Sequence, residues 1–425
     1  MELPEEQYYG LNRIFLSLIG LWPYDDIKTR FIRIMLWLLI CSLMIVTQVL
    51  LHVHRIFFIF LQLYVKKILS NILGKYHILF SDLILNILTY NLLLIACSVK
   101  YITFFAVCEN IKDIRACIRS NWNSLKDNQE NEIICKHGLC FFLLKKKKLF
   151  AVITTYYTTE KITNILPISV SFGSVITAYI LIQYSPILFD IIMPLNTSRP
   201  RKLLFDGEYF IDSEKYFFVI SIHMCIGLLA ELMCATATES FTLANAVHAF
   251  GLFKIASYRM KHVLDEVNST MCATKKYFVT RNKLIAAVDF HRRALEFSEL
   301  LRTSFGPAYI VLIVLGICST SINLFHIIRE IMADNKEVIE IIKSAFLIVV
   351  NVIYFVLGNY AGQEFINSDT LYYNTICKTN WYNAPIKTQK LILFILQKTT
   401  KCYKVDAAGM FIACLEGLAT VRNLD

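Results

Sequence analysis

The sequence lacks the motifs that mark most enzymes. There is no GxxxxGK(S/T) phosphate loop, no GxGxxG, no HExxH and no GxSxG, so an enzyme is not expected and no cofactor is called for. Thirteen cysteines are present without one CxxC pair, which argues against a zinc site and against a dense disulfide framework. The start is not a secretory signal: Glu2, Glu5 and Glu6 make it acidic, and no small-residue cleavage site follows a basic region and an apolar core. No internal repeat is evident, which weakens an inverted-repeat transporter. Ion-coupled pumps bury several paired ionisable groups at mid-membrane, whereas the apolar runs here hold Asp82, Glu231 and Glu416, far apart in sequence. The plain reading of Asp82 and Glu231 is that they sit near helix ends and reach headgroups or water.

What the chain has in excess is apolar residues, 56% of 425, against about 45–50% in an ordinary soluble domain. They are gathered into uncharged runs. About 20 residues of helix cross a hydrocarbon core about 30 Å thick, and only helices or closed barrels satisfy their backbone groups in lipid. The runs are rich in Leu and Ile without alternation, so they predict helices. Their positions are 34–51, 78–99, 165–189, 216–238, 305–328 and 344–363, with a last segment over 384–421 broken at Lys398–Asp406. The expected fold is all-α: a polytopic seven-transmembrane helical bundle in a lipid bilayer, one domain over 1–425.

The formal charge of +10 is explained by topology rather than by nucleic acid. Assigning the segments between runs to alternate sides places 28 Lys and Arg on the side of the N-terminus and 15 on the other. Short cytoplasmic loops carry the excess, so the N-terminus is expected in the cytoplasm. After seven crossings the C-terminus would lie outside, opposite to G-protein-coupled receptors. The run Lys145–Lys148 reads as a cytoplasmic anchor at anionic lipid.

Aromatic residues make up 13% of the chain, many in the parts of runs three and four that face outside. Aromatic walls with a few polar groups suit a pocket for a small apolar molecule, although Tyr and Trp also form interfacial belts. Candidate ligand contacts are Tyr179, Gln183 and Tyr184 near the outer end of run three, Phe217, His223 and Met224 in run four, and Tyr354 in run six. Tyr179 and Gln183 are four apart and share a helix face. For His223 a buried, hydrogen-bonded core role stands beside a ligand contact. Gly358 and Gly362 form a GxxxG, as close helix packing requires. Asn196-Thr197-Ser198 is a sequon in an outside loop, where glycosylation is sterically possible.

Several stretches resemble insect odorant receptors of the ant and bee type. They are Tyr8-Tyr9 to Asn12-Arg13, Gly20-Leu21-Trp22-Pro23-Tyr24, and Pro194-Leu195-Asn196 to Arg199-Pro200-Arg201 continuing into Glu208-Tyr209-Phe210-Ile211-Asp212. His291-Arg292-Arg293-Ala294-Leu295-Glu296-Phe297 is another. The most specific block runs from Trp381-Tyr382 and Pro385 through Gln389-Lys390-Leu391 and Phe394-Ile395-Leu396-Gln397 to Ala408-Gly409 and Leu415-Glu416. The resemblance implies seven helices with a cytoplasmic N-terminus, in agreement with the charge count. It implies an odorant-gated cation channel, assembled with a shared co-receptor as a hetero-oligomeric tetramer in the plasma membrane of olfactory neuron dendrites. It implies that volatile odorants bind between the outer halves of helices two, three, four and six. The inner ends of helices four to seven would make subunit contacts, and the second half of helix seven would line the pore, which assigns Gly409, Phe411, Leu415 and Glu416 to pore or subunit contact.

Two departures from that pattern carry expectations. The segment 135–162 is unusually apolar and lysine-rich for a loop. The family's last helix continues about four turns past the equivalent of Glu416, whereas this sequence stops at Asp425, so the seventh helix is expected to be truncated and conduction by this chain alone is not expected. A polytopic transporter and a gustatory-type receptor channel remain as alternatives.

Overall fold

A computed structural model describes residues 4–67, 91–125, 129–131, 133–134, 166–193, 203, 209, 211–212, 214–265, 272–332, 338–401, 406–407 and 411–412. In chain order the elements are α1 (Pro4–Leu18), α2 (Ile27–Lys67), α3 (Asn91–Ala106), α4 (Cys108–Asn123), α5 (Leu166–Ile192), α6 (Phe217–Lys261), α7 (Ala273–Met332), α8 (Val338–Lys378), a 3-10 turn (Trp381–Asn383) and α9 (Ile386–Thr399). Two short strands, β1 (Asp406–Ala407) and β2 (Phe411–Ile412), pair antiparallel with Asp406 opposite Ile412. The molecule is a helical bundle. Among the described residues four helices are long and apolar enough to cross a membrane, and a fifth is added if α3 and α4, bent by 65° at Val107, make one broken span.

The first two helices meet in a turn written in the sequence. Gly20 adopts φ +76, the left-handed conformation that glycine enters at least cost. The Leu21 amide donates to the Leu16 carbonyl at 2.8 Å and the Gly20 amide to the Ser17 carbonyl at 3.0 Å, the two closing bonds of a Schellman cap. Asp26 then accepts from the Lys28 and Thr29 amides and caps α2. Trp22 and Leu21 are thereby turned inward and fully buried, and the Arg115 guanidinium lies over the Trp22 ring at 4.7 Å.

Helices α6, α7 and α8 hold 45, 60 and 41 residues, or about 60–90 Å at about 1.5 Å per residue, two to three times the hydrocarbon core. Each therefore has an apolar part and an overhang. The windows that could face lipid present exposed Val314, Ile317, Phe346, Val349 and Ile353, the outward apolar surface a span requires. The overhangs hold the main core: Phe250, Phe253 and Met260 of α6, Phe290, Ala294 and Phe297 of α7, Phe365, Tyr372 and Ile376 of α8, and Ile392 of α9. Leu16, Leu21 and Trp22 join it from the N-terminal turn, and Ile111, Ile114 and Ile118 from α4.

Polar residues lock that core. Arg259 makes a paired contact with Glu130, Nε to Oε1 at 2.7 Å and Nη2 to Oε2 at 2.9 Å, beneath the Phe290 ring. His291 Nε2 lies 2.7 Å from Asp369 Oδ1 and stacks on Tyr372. Arg293 donates to Ser124 Oγ at 2.9 Å. Gln389 donates to the Tyr382 and Ala384 carbonyls, which ties the turn before α9 and gives the Trp381–Gln397 block a structural reason.

The last segment departs from the expected helix. Helix α9 covers 14 residues, about 21 Å long, and Ala407, Phe411 and Ile412 are extended and paired rather than helical. The polar break Lys398–Asp406 ends the apolar run before it. Glu231 does not stand at a helix end: α6 runs unbroken from Phe217 to Lys261, and the Glu231 backbone carbonyl faces the Cys97 thiol at 4.0 Å. Asp82, Lys145–Lys148 and 135–162 lie outside the described residues.

Candidate functional site

Away from the main core, at the Phe217 end of the bundle, a second and smaller apolar cluster joins four helices. It consists of Met44 of α2, Leu94 of α3, Tyr179 of α5 and Met224 of α6, with Tyr209, Cys225 and Leu228 packed on it. The 3.6-residue repeat brings these side chains together, since Met224 and Leu228 lie on one face of α6. Gly227 is on the same helix for a steric reason: a Cβ there would stand 2.5 Å from Met44 Cε and 2.9 Å from its Cγ. Thioethers and aromatic rings make a deformable apolar wall.

The structure unites most of the predicted ligand contacts here. Tyr179 is buried and donates its hydroxyl to the Ser221 carbonyl at 3.1 Å, so that hydroxyl is spent on joining α5 to α6. Gln183, one turn along the same face, is also buried. Tyr184 stands edge-on to Phe217 at 5.9 Å and stacked beside Phe218 at 6.1 Å, an aromatic rim between the two helices. His223 is half-buried, edge-on to Tyr209, with Nδ1 2.7 Å from the Tyr209 hydroxyl. Burial pushes the Tyr209 phenol up to about 12, because the charged form is disfavoured away from water.

Tyr354 belongs to a different group. Its ring lies under the Lys100 ammonium at 4.6 Å, and Lys100 Nζ pairs with Glu239 Oε1 at 2.7 Å. Tyr309 of α7 is beside it, with ring centroids 6.4 Å apart. A Cβ on Gly358 would collide with the Tyr309 hydroxyl and stand 2.7 Å from its Cζ, so the close packing expected of the GxxxG is a seat for a tyrosine. The two groups are linked along α3, where Leu94, Cys97 and Lys100 follow each other at helical spacing. Of the predicted pore and contact residues, Phe411 falls on β2, while Gly409, Leu415, Glu416 and the Asn196 sequon lie outside the described residues.

Sequence reasoning missed Met44, Leu94, Ser221, Lys100 and Glu239. Tyr209 entered only through the resemblance. Lys100 and Glu239 stand just past runs two and four, where charges mark boundaries and give no sign that they pair.

The 7tm Odorant receptor family matches residues 80–424. The chain belongs to that family. Odorant receptors form a receptor family rather than an enzyme family. The fold is also that of solved insect receptors. The olfactory receptor OR5 from Machilis hrabei in complex with eugenol gives a TM-score of 0.62 at 12% identity over 99% of this chain and 95% of that one. A second structure of the same receptor gives 0.59 at 13% identity, with equal coverage. No curated protein matches. This odorant receptor thus shares the helical bundle of that insect receptor.

Proposed function

We propose that the chain is the odorant-recognising subunit of a ligand-gated cation channel, and that volatile molecules bind at the Met44–Leu94–Tyr179–Met224 cluster. The observation that carries this reading is that cluster itself: an apolar, aromatic and thioether-lined junction of four helices, set apart from the main core. It sits in the apolar part of the bundle, where a hydrophobic volatile concentrates by partition into lipid. Tyr354, beside Lys100 and Glu239, lies on the route from that junction along α3 toward the overhangs and fits a role in transmitting occupancy. The charge count of 28 against 15 orients the overhangs toward the cytoplasm. The complete channel is a hetero-oligomer with a co-receptor in the plasma membrane of an olfactory sensory neuron.

The test is co-expression with the co-receptor and an odorant panel, with Tyr179→Ala, Gln183→Ala and His223→Ala measured against the native chain. The expected result is a changed order of odorant potencies at unchanged surface delivery. An unchanged tuning profile in all three would remove the site assignment.

A further inference from the structure

The polar groups of the site are nearly all committed. Tyr179 gives its proton to the Ser221 carbonyl. Tyr209 approaches His223 Nδ1 at 2.7 Å, and of this pair the phenol is the stronger acid and the imidazole nitrogen the stronger base. The Tyr209 hydroxyl also meets the Thr47 hydroxyl, which gives its own proton to the Met44 carbonyl at 2.9 Å; of the two acceptors Nδ1 is the stronger base, so the phenol donates to Nδ1. The upward shift of the Tyr209 phenol keeps that proton in place at any physiological pH. A neutral imidazole accepting at Nδ1 carries its proton on Nε2. Among the described residues Nε2 makes no hydrogen bond: the contacts of His223 are the Tyr209 hydroxyl and ring. Its side chain is half-buried on α6, between buried Ile220, Met224 and Gly227 and exposed Val219 and Ile226. In an apolar setting an unpartnered N–H is costly.

Resting on the site proposed above, we infer that His223 Nε2–H is the polar determinant of odorant choice, fixed as a donor by Tyr209, and that it selects apolar volatiles bearing a carbonyl oxygen. Ketones, aldehydes and esters supply the missing acceptor and need no donor of their own. Hydrocarbons of equal length fill the same volume and leave the N–H unpaired. The preference is worth one net hydrogen bond, about 3–10-fold in affinity.

The probes are a series of medium-chain methyl ketones and the terminal alkenes of matched length. Their affinities are read by ligand-induced thermal stabilisation of the purified full-length chain with its co-receptor in lipid nanodiscs, with concentrations referred to the lipid phase. The native receptor should favour ketones by about 3–10-fold. His223→Phe should abolish that preference while leaving alkene affinity in place, and His223→Gln, which restores a donor, should retain it. Tyr209→Phe releases the tautomer and should narrow the gap between ketones and matched alcohols. A native receptor that favours no ketone, or a preference that survives His223→Phe, overturns the inference. Met224→Ala separates this from the site reading. If it weakens ketone and alkene alike while His223→Phe changes nothing, the site stands and the donor assignment falls; if neither variant changes either ligand, both fall.

Discussion

The two ends of the bundle are built differently. At the Lys261 end the large side chains Phe253, Phe290 and Tyr372 are buried at 1% exposure or less, and Glu130–Arg259 is sealed among them. At the Phe217 end the corresponding cluster is four residues, and α6 beside it turns Val219, Ile222 and Ile226 outward. Folding stability grows with buried apolar surface, so most of it resides in the overhangs. The Phe217 end, the recognition end on the reading proposed above, is left with thioethers and a few hydrogen bonds. A receptor that must vary its ligand while keeping its assembly gains from that separation.

Substitutions can break or sharpen the contrast. The largest loss of stability is expected from Glu130→Ala, which leaves Arg259 buried without its partner and should cost about 3–5 kcal/mol; replacing both by apolar residues of similar volume should recover much of it. Thermal unfolding of the detergent-purified chain, followed by size-exclusion profile, reads both. Gly358→Ala comes next. The added methyl meets the Tyr309 ring, a rigid group, and overpacking of this kind costs about 1–3 kcal/mol. A second substitution, Tyr309→Ala, should relieve that clash, and no relief would mean that Gly358 serves another purpose. Tyr179→Phe removes one hydrogen bond to a backbone carbonyl and should cost about 0.5–1.5 kcal/mol, with a larger mark on odorant tuning than on melting. The smallest effect is expected at Gly227→Ala, under about 1.5 kcal/mol, because Met44 can rotate away; a collapse of folding there would show the recognition end to be as tightly built as the other.

Much of this was legible in the sequence, and the reasons are physical. Long uncharged runs announce helices in lipid because the backbone has no other solution there. Gly20 entered only through the resemblance, and its left-handed φ, open to glycine at least cost, is what the structure adds. Tyr179 and Gln183 were placed on one face by helical period alone, and the structure keeps them together. The overhangs were not legible as such: α6 continues unbroken from Phe217 to Lys261, but only its first half is uncharged, so the membrane signal stops where the helix does not. Tyr354 is among the candidate ligand contacts, whereas it lies beside Lys100 and Glu239, a pair formed between residues far apart in the chain. The extended pairing after α9 follows from non-local backbone bonds that no period reveals.

On the proposed reading, odorant choice resides at the Phe217 end and fold stability at the other. The most direct measurement is a paired one on the double variant Tyr179→Phe, Met224→Leu, both changes nearly conserving volume. Odorant concentration–response curves with the co-receptor are recorded beside the melting temperature of the same purified chain. The expected result is a changed order of odorant potencies with stability reduced by no more than about 1–3 kcal/mol. An unchanged order of potencies together with a chain that no longer folds would contradict it.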